Sequence, residues 1–459
     1  MSAHRDAEVQ GNAEEDTRRM KAKFANFRNA VEVGKAEIER DHINRQERYR
    51  NFERSAAQRH GVDQARARFC ENERQGVMAK CKMWSNNDFE AKKVIGEGAF
   101  GVVYLVKELK TGKHFALKQM EKARYQRKNR ERVFAERNVL AEARSRWCVE
   151  LHSTFQDANY VYMVMEFLQG GDLISHLQRK GRFMPQETAF YMAELLEAID
   201  TVHRYGFVHR DVKPDNVVLS AQGHLKLLDF GLCKYDPADS AHPRQAAASS
   251  ARAPQQLARA RMASVVGTPQ YMAPEAYRGD CGPESDLWSM GIITYECLAG
   301  QVPFHAGRLE GPEGIRAIRD KVDSHVENLE DRLKRTRARG YTDAISERLM
   351  SGLICARESR LRAEQIRKEP FFARIDFPNL HRTQPPFVPH INSDHDARLF
   401  DNFEPRTLPP TGSILERDAQ MEWPQYEFDR RTYEHQRPDV PVDKFFGGYT
   451  GTAARGPRR

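Results

Sequence analysis

The sequence predicts an α+β chain of two lobes, a β-rich one followed by a mostly helical one, flanked by an N-terminal helical extension and an extended C-terminal tail. Three observations carry this reading. From Phe89 to Met120, short runs rich in β-branched and aromatic residues (AKKVIGEGAFGVVYLVKE, HFALKQM) flank the turn LKTGK. After Gly170 the composition becomes helical, with a short β-type interruption around the His209-Arg210-Asp211 and Asp229-Phe230-Gly231 motifs. Residues 17–74 are rich in Arg, Glu, Ala and Gln and lack proline, which is helical composition.

Taken in order, residues 1–16 are polar and acidic and read as a disordered terminus. Residues 17–83 form a basic helical region, in which Met20, Phe24, Phe27 and Val31 recur at helical spacing as one apolar stripe. From Arg18 to Lys82 there are 17 Lys/Arg against 9 Asp/Glu, an excess of 8 that equals the net charge of the whole chain, +8. The β-rich lobe spans 89–166, including a charged helix around ERVFAERNVL and two further strand-like runs ending in YVYMVMEF. The helical lobe spans 169–372 and carries a low-complexity insert at 235–263. The tail, 373–459, begins with seven prolines in residues 375–411 and reads as an extended strap.

Composition narrows the function classes. No apolar run approaches the ~20 residues of a membrane span, and the N-terminus lacks the apolar core of a signal peptide. Seven scattered cysteines without a CxxC pair disfavour a disulfide framework or a zinc site and fit a reducing compartment, the cytoplasm first and the nucleus second. The basic block mixes many acids into its charge and lacks interleaved aromatics, which favours a protein partner over nucleic acid or an acidic lipid surface.

The chemistry sits in five motifs. Gly96-x-Gly98-x-x-Gly101-x-Val103 lies between strand-like runs, where glycines let backbone N–H groups approach phosphates without a Cβ in the way. Lys118, at the end of the strand-like Ala116-Leu117-Lys118, supplies an ammonium for phosphate oxygens, and Glu136 in the following helix can hold it by an ion pair. His209-Arg210-Asp211-Val-Lys213-Pro-Asp215-Asn216 is more specific, since it packs a base, a cation and a metal-binding amide into one short stretch. Asp211 would accept a hydroxyl proton, Lys213 would meet a transferring phosphoryl group and Asn216 would hold a metal. Asp229-Phe230-Gly231, thirteen residues after Asn216, supplies a second metal carboxylate. Gly267-Thr268-Pro269-x-Tyr271-Met272-Ala273-Pro274-Glu275 closes the set.

With these motifs in place, residues 89–372 resemble a protein kinase of the AGC group, and the whole chain resembles the NDR/LATS family of serine/threonine kinases within it. The family features are the long insert before Ser264, the N-terminal basic region, and the tail with Phe400-Asp401-x-Phe403 and a hydrophobic-motif-like Phe428-x-x-x-Thr432-Tyr433. The resemblance implies the two-lobed kinase fold, ATP and Mg2+ as cofactors, and an adenine pocket walled by Val103, Ala116, Met165 and Val218, with Glu166 to Leu168 as hinge backbone. It further implies a stacked spine of Leu140, Leu151, His209 and Phe230 anchored by Asp286, and a buried pair of Glu275 with Arg360. Asp172, Asp215 and Glu296 match positions that read basic residues upstream of the phosphorylated Ser/Thr, and Lys213 with Thr268 matches Ser/Thr specificity. The resemblance also implies phosphorylation of Ser264 and Thr432, the latter by an upstream kinase, a Mob-like coactivator on residues 17–83, and protein substrates in cell-cycle, cytokinesis or morphogenesis signalling. A scaffold without catalysis would lack the Lys, the HRD Asp or the DFG Asp, and all three are present.

Overall fold

The computed structural model describes residues 84–98, 101–125, 127–143, 145–235, 267–408, 423 and 426–430. The acidic terminus, the basic helical region with its apolar stripe, residues 236–263 of the insert, Ser264 and Thr432 lie outside the described residues.

The first lobe is an antiparallel sheet. Strands β1 (Phe89–Gly98), β2 (Gly101–Glu108) and β3 (His114–Glu121) form a meander, and β4 (Leu151–Gln156) and β5 (Tyr160–Glu166) form a hairpin whose β5 pairs with β3. The LKTGK turn closes as expected: Gly112 has φ 76°, and the Glu108 N–H donates to the Lys113 carbonyl at 2.8 Å. Alternation in these strands buries Phe89, Tyr104, Val106, Phe115, Leu117, Phe155 and Tyr162 on one side. The rings of Phe155 and Tyr162 stack at 4.7 Å. Helix α1 (Arg127–Glu142) connects β3 to β4 and is the expected carrier of Glu136.

The second lobe is helical: α2 (Leu173–Lys180), α3 (Pro185–Arg204), α4 (Pro274–Tyr277), α5 (Pro283–Ala299), α6 (Gly311–Asp323), α7 (His325–Ala338), α8 (Ala344–Leu353) and α9 (Ala363–Ile366). Helix α3 begins at a proline, where the missing N–H costs nothing, and the Glu187 carboxylate accepts the Met184 N–H at 2.8 Å. Its residues Phe190, Leu195, Leu196, Ile199 and Val202 are buried, as an apolar helix at the centre of a lobe requires. Helix α5 stops at Gly300, whose φ is 76° and where a Cβ would lie 2.3 Å from the Gly181 carbonyl oxygen. The β interruptions are two antiparallel pairs, β6 (Phe207–Val208) with β9 (Lys234–Tyr235) and β7 (Val217–Leu219) with β8 (Leu225–Leu227). They set the chemical motifs on short, rigid ladders.

The proline-rich segment, described through residue 408, forms one six-residue 3-10 turn, Phe377–Arg382, and then runs as a strap toward the sheet lobe. Its Ser393 carbonyl accepts from Gln169 Nε2 at 2.6 Å, its Ala397 carbonyl from Lys93 Nζ at 3.2 Å, and Phe400 stacks on Phe167 at 5.7 Å. The tail then adds strand β10 (Phe428–Asp429) to the sheet edge, Phe428 opposite Thr154, giving the order β1-β2-β3-β5-β4-β10.

Phe428, the first residue of the expected docking motif, is docked on β4 together with Trp423 and Tyr426 before it, and Thr432 and Tyr433 lie outside the described residues. Trp423 and Tyr426 are fully buried and each meets Phe134 of α1 at 5.7 Å. Glu427, between the buried Tyr426 and Phe428, stays partly exposed and accepts from Gln156 Nε2 at 2.6 Å.

Candidate active site

The sheet lobe contributes a buried cation held by two carboxylates. Lys118 Nζ donates to Glu136 Oε1 at 2.6 Å and to Asp229 Oδ1 at 3.4 Å, joining β3, α1 and the helical lobe. Burial opposes the ammonium charge, but Glu136 and Asp229 outweigh it and raise the Lys118 pKa. Burial alone would raise Asp229 as well, yet Lys118 and His209 hold its carboxyl below the usual range. The glycine strand turn has a steric cause: Gly101 has φ 133°, and a Cβ there would lie 2.1 Å from the Gln119 carbonyl oxygen. At Gly98 a Cβ would meet nothing within 4 Å, and at Gly96 it would touch only Val103, at 3.6 Å, so this edge leaves room for a ligand.

The expected pocket walls fall on adjacent strands. Val103 pairs with Lys118, Ala116 pairs with Met165, and Val218 of β7 bridges to Asp172. Leu168 is buried. The Glu166 side chain accepts from Lys226 Nζ and, at 2.8 Å, from the Glu150 N–H, which leaves hinge contacts to the backbone.

The helical lobe supplies the second half. Arg210 (φ 68°) and Asp229 (φ 54°) are the non-glycine residues with positive φ among the described residues, and both sit in the motifs singled out from sequence. Asp286 over-determines the first by accepting the N–H groups of His209 and Arg210, each at 2.8 Å, and His203 Nε2 at 2.8 Å. The His209 and Phe230 rings stand 5.0 Å apart, with Leu140 and Leu151 buried, as expected of the stacked spine.

Asp211 Oδ1 accepts from the Thr268 N–H at 3.0 Å and the Thr268 hydroxyl at 2.9 Å, while Asp211 Oδ2 meets Asn216 Nδ2 and Lys213 Nζ, both at 3.2 Å. Lys213 Nζ also donates to Thr268 Oγ1 at 3.0 Å. Four of the expected residues thus form one hydrogen-bonded cluster around the Asp211 carboxylate. Asn216 donates through its Nδ2, so its amide oxygen remains for another partner. With the partly exposed Asp229 carboxylate it makes a hard-oxygen donor set of the kind Mg2+ takes.

The expected substrate acids divide. Glu296 is buried, accepts from the Tyr271 hydroxyl at 2.8 Å, and has its pKa pushed up to about 7 by burial, with the neighbouring charge of Asp215 adding to the rise. Asp215 itself is exposed. Asp172 caps α2 by accepting the Ser175 N–H at 2.7 Å through one of its two oxygens. The Arg360–Glu275 pair forms as expected and is buried.

Sequence reasoning missed Tyr271 as the partner of Glu296. Beyond Phe400-Asp401-x-Phe403 the tail reaches the glycine strands, where Arg406 meets Glu97 at 2.9 Å. The aromatic run Trp423 to Phe428 was the available signal for tail docking.

Comparison with known proteins agrees with this geometry. The family model described as protein kinase domain matches residues 89–372. Myotonin-protein kinase of Mus musculus is 38% identical over 333 residues, 70% of this chain and 48% of that protein. Serine/threonine-protein kinase CBK1 of Pneumocystis carinii is 35% identical over 407 residues, 80% of this chain and 77% of that protein. Serine/threonine-protein kinase MRCK gamma of Mus musculus is 36% identical over 341 residues, 71% of this chain and 20% of that protein. The chain therefore spans about half of the first relative, about three quarters of the second and a fifth of the third.

Proposed function

The chain belongs to the protein kinase family, among the AGC-group kinases that include CBK1 of the NDR/LATS family and MRCK, and from that premise we propose that it phosphorylates Ser/Thr of protein substrates from Mg-ATP. The observations that carry this reading are the hydrogen-bonded Asp211, Lys213, Thr268 and Asn216 cluster and the Lys118, Glu136 and Asp229 bridge. Bound Mg-ATP supplies the phosphoryl group and a charge-neutralising metal. Asp211 orients the incoming hydroxyl and takes its proton, and Lys213 stabilises charge on the transferring group. Lys118, fixed by Glu136, holds phosphate oxygens; Asn216 and Asp229 hold the metal. Backbone at Gly96, Gly98 and Gly101 covers the phosphates, and Val103, Ala116, Met165, Leu168 and Val218 enclose the base. Asp215 and Glu296 read a basic residue upstream of the acceptor. The test is γ-phosphate transfer to peptides with Arg before Ser, Thr or Tyr. Transfer to the Ser or Thr peptide that vanishes in Asp211→Asn supports the reading; equal transfer by that variant overturns it.

Regulation is a proposal of the same kind. Phosphate on Ser264 would pair with Arg210, supported by the nearness of a second guanidinium, Arg132 of α1: burial first and Arg132 among the neighbouring charges lower the Arg210 pKa. Thr432, beyond the docked Phe428, is the proposed target of an upstream kinase, and residues 17–83 of a Mob-like coactivator, both by family resemblance. If the Ser264→Ala protein, after every activating treatment, is as active as the parent, this switch is absent.

A further inference from the structure

Outside the catalytic cleft, three side chains far apart in sequence meet where the tail strap crosses the sheet. His114 opens β3, and Asp394 and His395 lie at the tip of the strap. His114 Nδ1 stands 3.1 Å from Asp394 Oδ2, and His395 Nδ1 stands 3.0 Å from Asp394 Oδ1. Among the described residues this is the group of His, Cys, Asp and Glu whose three ligand atoms lie within 4.8 Å of one another.

The site is built rather than a chance meeting of surface groups. His114 has a side chain only 8% exposed, so its ring is fixed by its surroundings. The strap is pinned on both sides of the pair, by Gln169 on the Ser393 carbonyl and by Lys93 on the Ala397 carbonyl. The loop between is closed on itself, since Asp396 accepts the Asn392 N–H at 2.9 Å and the Arg398 guanidinium at 2.7 Å. Asp394 and His395 remain exposed, at 71% and 58% of their side chains, free to adjust by the few tenths of an ångström that a bound ion demands.

We propose that His114, Asp394 and His395 bind a Zn2+ ion, with water completing the coordination, and that this ion clasps the tail strap to the sheet lobe. Two imidazoles and a carboxylate are borderline donors that select Zn2+ over Mg2+, so the ion would not compete with the hard-oxygen pair in the cleft. Tetrahedral zinc with bonds of about 2.0–2.1 Å places its donors about 3.3 Å apart; His114 Nδ1 lies 3.1 Å from Asp394 Oδ2 and His395 Nδ1 3.0 Å from Asp394 Oδ1, so a turn of this exposed carboxylate would bring one of its oxygens and both imidazoles around one ion. The clasp would close a loop of chain between residues 114 and 394, fixing the strap just before Phe400 reaches Phe167.

The test uses the full-length chain stripped of metal and titrated with Zn2+ by calorimetry and with Co2+ by visible absorption at pH 7.5. The expected result is a Zn2+ site whose affinity falls by about 10–100-fold or more in His114→Ala and in His395→Ala, since even outer-sphere partners cost that much. Tetrahedral Co2+ bands should be lost with it. Zinc should also slow amide exchange over residues 391–398 in the parent and not in the variants. His395 is exposed, so its replacement leaves the fold intact and keeps the result readable. Equal Zn2+ affinity in parent and variants, or no binding by the parent, overturns the clasp.

Discussion

Lys118 keeps its charge in a buried position because Glu136 and Asp229 lie 2.6 and 3.4 Å from its ammonium. Removing the ammonium leaves the buried Glu136 unpaired, which typically costs about 3–5 kcal/mol, and removes an electrostatic group from the transition state, worth about a hundredfold or more in rate. Lys118→Met should therefore lose both stability and phosphate transfer. Adding Glu136→Leu should recover most of the stability and none of the transfer, measured by denaturant unfolding and a kinase assay; recovery of transfer would dissociate Lys118 from the chemistry. Glu296 makes a pH prediction. Burial raises its pKa to about 7, so it is neutral below that value and ionised above it. If it reads a substrate arginine, KM for an Arg-containing peptide should fall as pH rises through about 7 and stay flat in Glu296→Gln. A peptide KM with the same pH profile in both proteins would remove Glu296 from recognition.

At the scale of elements, the tail docks on α1 and β4, and α1 carries Glu136, the partner of the Lys118 ammonium. Strand β10 pairs with β4, Trp423 and Tyr426 pack on Phe134, and Arg430 Nη2 donates to the Leu140 carbonyl at the far end of α1 at 3.0 Å. Since Glu136 lies between Phe134 and Leu140 on that helix, anything that frees the tail loosens the support of Glu136. Truncating a fully buried tryptophan costs about 3–5 kcal/mol when the site cannot collapse. That penalty falls here on the docking of one short strand. Trp423→Ala should thus undock β10 rather than unfold the lobe: hydrogen exchange should speed up in β4 and α1, transfer should drop, and the helical lobe should stay protected. Unchanged exchange in α1 would break the proposed coupling.

Across the whole molecule, the helical lobe is tied by ion pairs that span long stretches of chain. Arg360 has no exposed side-chain surface and binds Glu275, while also donating to the carbonyls of Glu284 and Cys355 at 2.8 and 2.9 Å. Burial would raise the Glu275 carboxyl, but Arg360 holds it below its ordinary value. A depressed carboxylate contributes stability that is complete above its unfolded pKa and lost as pH falls through the folded one. Arg360→Ala should lower stability by about 3–5 kcal/mol near neutrality and flatten the acid side of the stability profile. Thermal melts at a series of pH values measure both, and a parent-like acid limb in the variant would place the titration elsewhere.

The sequence by itself determined the elements and the local chemistry. Strand alternation, proline starts, glycine stops and motif spacing each depend on neighbours a few residues away, so β1 to β5, α1 and the Asp211 to Asn216 cluster were legible in order. Only the tertiary structure decided which distant groups meet. That Phe428 of the distant tail pairs with Thr154 of β4, with Trp423 and Tyr426 buried beside it, is such a meeting. Asp172, expected to read a substrate base, also caps α2 through one oxygen, because the N–H groups at a helix start must be satisfied. Tyr271 meets Glu296 across 25 positions and His114 meets Asp394 across 280, and no local pattern encodes such meetings. They arise when two lobes and a strap bury their apolar faces together, a long-range condition in which each pairing depends on the packing of all the rest.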